Sequence, residues 1–407
     1  MTVDTPRGTS YYRLALILGA LTAMGPLAID TYLPALPRIA RDLHTSDALV
    51  QVSLSVYFVG IALGQAVYGP LSDRLGRKRP LYLGLAMFIL ASLGCALASS
   101  VELLIGFRFL QALGGCAPLV VPRAIVRDHF DQRGSVRMLS ILMLVMGLAP
   151  ILAPLVGGQL LGWFGWRSIF WAHAMYGSVW LFAVAVGLRE SLSLGRRQRQ
   201  RVGAVLAVYG RLLSDRAFMA HVLVGALIFA GLLAYISGSP FVFIELFHVS
   251  PSHFGLYFGV NAIGIITASQ INRWLAQRLE ASQILRRVLP VSLVASVALV
   301  VDAATGFGGF AGILVPLFFY IAMHGFVMPN TTALAMAPHG SVAGSASALL
   351  GSIQFILGAL TGTLVGALSN GTPVPLAAVV AGCGVAAFAI HVLSGNSVLS
   401  LRAEARQ

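Results

Sequence analysis

Residues 69–80 read Gly69-Pro70-Leu71-Ser72-Asp73-Arg74-Leu75-Gly76-Arg77-Lys78-Arg79-Pro80. An apolar run of about 20 residues lies on either side of this stretch, long enough to cross a bilayer as one helix. We expect Gly69, Pro70 and Gly76 to force a tight reversal between two such helices. The stretch therefore predicts a pair of membrane-spanning helices, with the cations of the turn at the membrane surface.

Apolar runs of this kind recur along the whole chain. Of its 407 residues, 57% are hydrophobic and 10% are charged, whereas soluble domains carry roughly 25% charged residues. No segment alternates over the roughly ten residues typical of a barrel strand, so the pattern predicts an all-α integral membrane protein. The twelve predicted spans cover residues 14–37, 49–71, 80–99, 102–125, 138–162, 168–188, 217–244, 252–272, 286–303, 309–333, 342–368 and 374–396.

The basic residues are distributed unequally between the two sides of the membrane. If both termini lie on one side, 23 of the 27 Lys and Arg residues fall on that side, and Arg38, Arg41 and Arg167 fall on the other. Cytoplasmic loops are rich in Lys and Arg, so both termini are predicted to be cytoplasmic. This topology explains the net charge of +13 without a nucleic-acid partner, because no aromatic platform accompanies the cations.

The longest polar segment divides the spans into two sets of six. We expect an N-terminal six-helix bundle at residues 1–188, a cytoplasmic linker at 189–216 and a C-terminal six-helix bundle at 217–407.

Small residues that recur at one constant offset support this division. Spans 5 and 11 share three such pairs, which are Gly147 and Gly351, Pro154 and Gly358, and Gly158 and Gly362. A repeat of this kind predicts two pseudo-symmetric halves with a substrate bound at their interface. Chance coincidence of small residues is the alternative.

Asp30 is the only carboxylate set well inside an apolar run, and the helix-breaking residues 31–37 follow it. A carboxylate at membrane depth costs several kcal/mol, so it usually faces a cavity or a partner and marks an ion or substrate path. We therefore predict that Asp30 carries the proton of a proton-coupled transporter.

Arg108 is the only Lys or Arg residue set well inside a span, away from its ends. It lies about two helical turns from the periplasmic face, as does Asp30, so the two residues are predicted at similar depth. A nearby Arg108 would favour the ionised form of Asp30, and burial away from Arg108 would favour the protonated form. Conformational change could then drive proton uptake and release. The alternative is a structural role, in which Arg108 forms a fixed ion pair or is capped by carbonyl groups.

Three segments resemble motifs of the major facilitator superfamily. Residues 69–80 resemble the signature between its spans 2 and 3, and residues 108–115 (RFLQALGG) resemble its span-4 arginine motif. Residues 147–158 (GLAPILAPLVGG) resemble the span-5 motif typical of its drug–proton antiporters.

Three further segments narrow the resemblance to the bicyclomycin/chloramphenicol resistance (Bcr/CflA) subfamily. They are residues 30–37 (DTYLPALP), 239–245 (SPFVFIE) and 344–348 (GSASA). The resemblance covers nearly the whole chain. It implies the major facilitator fold, with twelve transmembrane helices in two pseudo-symmetric halves, in the bacterial inner membrane.

The turn at residues 69–80 is also predicted to act as a cytoplasmic latch, formed by Gly69, Asp73, Arg74, Gly76 and Arg77. An acid in this turn opposes the positive bias of the topology, which favours an ion pair between helix ends over simple membrane anchoring. Such a latch would hold one packing of the helices and release it in another.

The span-5 motif contributes Gly147, Pro150, Pro154, Gly157 and Gly158. Missing side chains and missing N–H donors let neighbouring helices approach closely and let this helix bend. A packing kink alone is the simpler interpretation.

A substrate cavity is predicted from aromatic and amide side chains. The aromatic candidates are Tyr32, Tyr57, Tyr235 and Phe241, and the hydrogen-bonding candidates are Gln111, Asn261, Asn330 and Gln354. Glu102, Glu245 and Asp302 lie near span ends and are expected to be interfacial. His173, His221, His324 and His391 lack metal spacing and are expected to be satisfied within the bundle, with His324 the one candidate for a role in the pathway.

The chain has a single lysine, Lys78, and Arg79 follows it, so no phosphate-binding G-x-x-x-x-G-K-[ST] loop can occur. No catalytic motif points to an enzyme. We therefore expect an antiporter that exchanges small amphipathic drug-like molecules for protons, without ATP, metal or cofactor, as a monomer in membrane lipid. Alternatives are a proton-coupled transporter of a small metabolite and, with less support, a membrane receptor.

Overall fold

The computed structural model describes residues 9–193, 195 and 202–404. Twelve helices in this part of the chain are long and apolar enough to cross a membrane. The prediction of an all-α protein with twelve membrane-spanning helices is confirmed.

The described chain divides into two compact units. Unit 1 comprises residues 9–193, 195 and 249–259, and unit 2 comprises residues 202–248 and 260–404. The boundaries expected from the linker stay a prediction.

Seven α-helices precede the linker. They are α1 (Thr9–Asp30), α2 (Leu36–Asp42), α3 (Asp47–Leu75), α4 (Lys78–Leu97), α5 (Val101–His129), α6 (Gln132–Phe164) and α7 (Arg167–Gly187). Seven more lie in the described residues from 202 onward, the first of them inside the predicted linker. They are α8 (Val202–Ser214), α9 (Arg216–Pro240), α10 (Pro251–Leu275), α11 (Ala281–Thr305), α12 (Gly309–Met336), α13 (Ala343–Ala367) and α14 (Val374–Glu404).

Side-chain caps fix where several of these helices begin. The hydroxyl of Ser46 accepts from Leu49 N before α3, and the Asp131 carboxylate accepts from Gly134 N at 2.8 Å before α6. Such caps satisfy backbone donors that have no partner within the helix.

The reversal between α3 and α4 takes place at Gly76, whose φ of +90° lies in the region that favours glycine. Helix α3 continues through Gly69 and Pro70 as far as Leu75. The expectation that Gly69 and Pro70 also form the turn is therefore wrong. Hydropathy falls at the membrane surface, but helical hydrogen bonding continues for another turn beyond it.

The helices of unit 1 pack closely where small residues face one another. Helix α5 packs against α3 and α4, α4 packs against α7, and α1 packs against α6. At Gly114 on α5, an added Cβ would lie 2.5 Å from Phe88 N and 2.6 Å from Gly84 O on α4. Glycine at this position therefore sets the distance between α4 and α5.

Unit 2 pairs its helices in a similar order. Helix α9 packs against α12, α13 and α14, and α11 packs against α12 and α14. The first and fifth spans are thus in contact in each unit, as α1 with α6 and α9 with α13. This shared pairing is what an internal repeat would produce.

The predicted linker contains a helix that the sequence reasoning did not anticipate. Val208 and Leu212 of α8 pack against an apolar cluster of unit 2 that includes Phe218, Ala335 and Leu350. The central basic residues of the linker lie outside the described residues. They are Arg196, Arg197, Arg199 and Arg201.

Replacing Gly114 by alanine is expected to lower stability by about 1–3 kcal/mol, because the added methyl group meets backbone atoms that cannot move alone. Gly106→Ala on the same helix is the matched control, since an added Cβ there meets nothing within 4 Å. The measurement is the thermal unfolding midpoint of the purified protein in detergent. Equal midpoints for the two variants would contradict this packing argument.

Candidate functional site

Asp30 is the last residue of α1 and is 4% exposed. The chain then passes through Thr31 and Tyr32 into a short 3-10 helix, Leu33–Ala35, before α2 begins. Proline at Pro34 and Pro37 accounts for the break, because it removes backbone donors and disfavours continuous helix before it. No hydrogen bond or ion pair engages the Asp30 carboxylate among the residues that the structure describes.

Arg108 on α5 is completely buried, yet it does not pair with Asp30 within the described part of the chain. Its Nη1 donates to Gln111 Oε1 at 2.6 Å and to Ala28 O at 3.1 Å. Its guanidinium carbon lies 4.1 Å from the centre of the Tyr57 ring and 4.5 Å from that of Tyr32. Carbonyl dipoles and π faces therefore stabilise this charge in place of a carboxylate.

The pairing of Arg108 with Asp30 thus stays a prediction about another conformation. The alternative raised from the sequence, in which carbonyl groups cap Arg108, describes part of what is observed. Two of its donor atoms, Nε and Nη2, have no hydrogen-bond partner within the described part of the chain.

A chain of hydrogen bonds links Arg108 to the break after α1. Gln111 joins Arg108 to His173 on α7, and His173 Nε2 lies 2.7 Å from Thr31 Oγ1. His173 is 6% exposed. Sequence reasoning missed this residue as a member of the site, because a lone histidine in an apolar helix carries no spacing signal. Its contact with Thr31 depends on the packing of α7 against α1.

Tyr32 and Tyr57 frame the same site. Tyr32 is hydrogen-bonded through its hydroxyl to Ser53 Oγ at 2.8 Å, which joins the break after α1 to α3. The Tyr57 hydroxyl is buried and has no hydrogen-bond partner among the described residues. Of the predicted cavity residues, the structure brings Tyr32, Tyr57 and Gln111 together around Arg108.

The span-5 motif contributes through close approach. All five residues, 147, 150, 154, 157 and 158, lie inside α6. A Cβ at Gly157 would collide with the backbone of Thr31, so the glycine lets α6 contact the chain directly after Asp30. Gly158 gives similar room to the backbone of Pro251, which also belongs to unit 1.

The predicted cavity residues of unit 2 are all buried and form separate pairs. Asn261 Nδ2 donates to the Tyr235 hydroxyl at 2.9 Å, and Asn330 Nδ2 donates to Asn272 Oδ1 at 2.6 Å. Gln354 approaches Met328 Sδ at 3.9 Å, and Phe241 begins a π-helical turn, Phe241–Leu246. The sequence pattern did not identify Asn272 as a candidate cavity residue.

A second cluster, which we call the Arg77 cluster, joins helix ends through Arg77, Asp73, Asp128 and Glu190. Arg77 Nη1 lies 2.6 Å from Asp73 Oδ1, and Arg77 Nε lies 2.8 Å from Asp128 Oδ2 at the end of α5. Glu190 Oε1 accepts from Arg77 N at 2.8 Å. Of the predicted latch residues, Asp73, Gly76 and Arg77 take part, whereas Arg74 is exposed.

Asp128 and Glu190 were missed in the sequence because each lies in a loop or helix end far from residues 69–80. Burial disfavours the charged form of Arg77, but hydrogen bonds to Asp128 and Asp73 outweigh it and raise the pKa of Arg77. The cluster therefore holds its charges in fixed, mutually stabilising positions.

The remaining titratable candidates do not join either cluster. Glu102 and Glu245 are exposed and Asp302 is half-buried near the end of α11. His324 packs its ring 5.6 Å from that of Phe229, and its Nδ1 has no hydrogen-bond partner in the structure.

Comparison with known proteins places this architecture in a family. A model of the Major Facilitator Superfamily matches residues 17–363. The chain belongs to the major facilitator superfamily. This family consists of transporters and not of enzymes, so the chain is a multi-pass membrane transporter.

Relatives in this superfamily match much of the chain. The uncharacterized MFS-type transporter YdgK of Bacillus subtilis (strain 168) is 38% identical over 93% of this chain and 94% of its own length. The bicyclomycin resistance protein homolog of Haemophilus influenzae is 28% identical over 96% of this chain and 98% of its own length. The multidrug resistance protein MdtL of Escherichia coli O9:H4 (strain HS) is 36% identical over 56% of this chain and 57% of its own length. The resemblance to the Bcr/CflA drug–proton antiporters is confirmed.

A solved transporter structure shares the fold of this chain at low sequence identity. The xylose transporter XylE from E. coli, in a partially occluded inward open conformation, has a TM-score of 0.72 and 13% identity. The match covers 93% of this chain and 96% of XylE.

Substitution of Arg77 by alanine is expected to lower stability by about 2–3 kcal/mol, because it leaves the largely buried Asp128 carboxylate without its charged donor. Arg77→Lys should restore only part of the loss, since lysine lacks the planar fork that reaches two carboxylates. Arg79→Ala is the control, because Arg79 is exposed in the same turn. Thermal unfolding in detergent measures the effect, and equal losses for Arg77→Ala and Arg79→Ala would contradict it.

Proposed function

We propose that this transporter exports small amphipathic drug-like molecules in exchange for protons. The observation that carries the proposal is the buried Asp30 carboxylate, which lies at a helix break without a counter-charge among the described residues. A carboxylate in that environment is most stable with a proton bound, and it becomes ionised when a cation approaches it.

Competition couples the two fluxes. In this conformation Arg108 is engaged by Gln111 and Ala28 O, and we propose that Asp30 holds a proton in this state. A rearrangement that brings Arg108 to Asp30 releases the proton and changes the aromatic surroundings formed by Tyr32 and Tyr57. Substrate and proton are then held favourably in different conformations, which is the requirement for exchange.

The Arg77 cluster acts as the latch of this cycle. It ties the end of α3 and the start of α4 to the end of α5, and it must open if these helix ends separate. A cluster of this kind gives one packing a discrete stabilisation, so the cycle moves between two states.

The distribution of Lys and Arg along the chain bears on the membrane and the orientation of the protein. The excess of Lys and Arg on one side supports a bacterial inner-membrane location with both termini in the cytoplasm. The proton gradient supplies the energy without ATP, metal or cofactor, and a monomer in membrane lipid is the working unit.

The names of two relatives support the drug class of the substrate. One is a bicyclomycin resistance protein homolog and the other a multidrug resistance protein. Bicyclomycin is therefore the first transport probe, and chloramphenicol, which appears in the name of the subfamily that the chain resembles, is the second.

In inside-out vesicles with an acidic lumen, addition of bicyclomycin outside should release luminal protons and accumulate the drug inside, because the outer face is the cytoplasmic one. Asp30→Asn should abolish proton release while the protein still inserts and folds, since the amide cannot carry the proton. Asp302→Asn, at a carboxylate near the end of α11, is the matched control and should leave the release intact. A pH-sensitive dye and labelled drug measure the two fluxes.

Three outcomes would reject the assignment in different ways. Co-directional movement of drug and protons would replace the antiporter with a symporter working as an importer. Undiminished proton release by Asp30→Asn would remove Asp30 from the mechanism. Absence of flux with both bicyclomycin and chloramphenicol would reject the drug class.

Arg108→Ala is expected to reduce proton-driven efflux severely, and its effect should not add to that of Asp30→Asn if the two residues form one electrostatic unit. Arg108→Lys should rescue poorly, because an ammonium lacks the planar guanidinium that lies over the Tyr32 and Tyr57 rings. The measurement is a double-mutant cycle on the initial efflux rate. Independent effects would instead assign Arg108 a packing role.

A further inference from the structure

The ring of His173 lies between the break after α1 and the arginine of α5. Its Nε2 lies 2.7 Å from Thr31 Oγ1, and its Nδ1 lies 3.5 Å from Gln111 Nε2. Thr31 directly follows Asp30, and Gln111 holds Arg108. One buried side chain thus connects the neighbours of both residues that the proposed mechanism uses.

Hydrogen-bond accounting fixes which ring nitrogen carries the hydrogen. Arg108 has only donors, so its 2.6 Å contact with Gln111 must be to the amide oxygen. The amide nitrogen of Gln111 therefore faces His173 Nδ1, which must accept. The hydrogen of the neutral ring is then on Nε2 and is donated to Thr31 Oγ1, whose own hydrogen goes to Leu27 O at 2.7 Å.

The second hydrogen of the Gln111 amide is also engaged. Gln111 Nε2 donates to Ser92 Oγ at 2.7 Å, and Ser92 donates to Phe88 O at 2.7 Å. The amide therefore cannot rotate without losing bonds to Arg108, Ser92 and His173 together. Because the amide is fixed, Arg108 Nη1 stays directed at Gln111 and Ala28 O.

We propose that His173 is a positioning residue that, through Gln111, keeps Arg108 apart from Asp30 in this conformation. The proposal rests on the proposed role of Asp30 as the proton carrier. When the link through His173 breaks, only Ser92 and Arg108 still hold the Gln111 amide. The amide then turns more readily, and Nε and Nη2 of Arg108, which have no hydrogen-bond partner among the described residues, can reach the Asp30 carboxylate. His173 itself carries no transported proton, because a hydrogen on Nδ1 would oppose the N–H of Gln111.

Five helices, α1, α3, α4, α5 and α7, contribute titratable groups around this link. Besides Asp30, Arg108 and His173, the groups that face the site are Tyr32 after α1, Tyr57 on α3 and Cys95 on α4. All three are neutral in the usual pH range. Asp30 is therefore the group whose protonation reports where the Arg108 charge lies.

The test uses dicyclohexylcarbodiimide, which reacts with protonated carboxyl groups in apolar surroundings. Purified full-length protein in detergent is labelled across a pH series, and peptide mass spectrometry gives the labelled fraction of Asp30. His173→Leu should shift the labelling midpoint to lower pH by about one unit, because Arg108 gains access to the carboxylate. His173→Gln should restore most of the wild-type midpoint, since its amide supplies one donor and one acceptor.

Thr31→Val provides an independent variant, since it removes the hydroxyl that accepts from His173 at nearly constant side-chain volume. It should shift the midpoint in the same direction as His173→Leu. His324→Leu is the matched control, because it makes the same exchange in unit 2, and it should leave the midpoint unchanged. A wild-type midpoint in both His173→Leu and Thr31→Val, or an equal shift in His173→Gln or His324→Leu, would overturn the proposal.

The assay requires neither substrate nor a proton gradient. The shift can therefore appear even when bicyclomycin and chloramphenicol are not transported, which would reject the drug assignment and keep the positioning role. Transport that is normal in His173→Leu together with an unshifted midpoint would leave the antiporter in place and reject the role of His173.

Discussion

The charge of Arg108 is the constraint on which the interior of unit 1 depends. A guanidinium with no exposed surface must be stabilised by its surroundings, because water cannot reach it. Unit 1 supplies a carbonyl oxygen from α1, an amide oxygen one helical turn along α5, and the faces of two tyrosine rings. Tyr32 and Gln111 are held by further hydrogen bonds, so the polar network extends to α3, α4 and α7.

Two arginines in the same unit are stabilised in opposite ways. Arg77 lies near the membrane surface and is surrounded by carboxylates, so its charge is matched and its position is fixed. Arg108 lies deep and has only neutral partners among the described residues, although a carboxylate follows closely after Ala28 on the same helix. An arginine that is paired with carboxylates forms a stable link between helix ends. An arginine that lacks a carboxylate partner, but lies near an unpaired carboxylate, can instead adopt a second conformation in which the two are paired.

Backbone close approach makes the site possible. The break after α1 exposes backbone groups that a continuous helix would use internally, and α6 can lie against them because position 157 has no side chain. Close approach also occurs between α4 and α5, where Gly84 faces Gly114. This contact sets the distance across which Gln111 on α5 donates to Ser92 on α4. The glycine residues therefore let the backbones approach closely, and the polar side chains form their hydrogen bonds across these close contacts.

The sequence by itself determined the number and type of the spans, because a stretch of apolar residues long enough to cross a bilayer has to form a helix there. It also singled out Asp30, Arg108 and Arg77 as candidates, since a charge in or beside an apolar run is costly wherever the helix packs. Local pattern misplaced the turn at Gly69 and Pro70, because helical hydrogen bonding does not end where hydropathy does.

Only the tertiary structure decided which groups stabilise these charges. His173, Asp128 and Glu190 lie 51 to 142 positions along the chain from the residues that they contact, and no local spacing relates them to their partners. Their contacts depend on which helix faces are adjacent, and that is set by the packing of side chains across several helices at once.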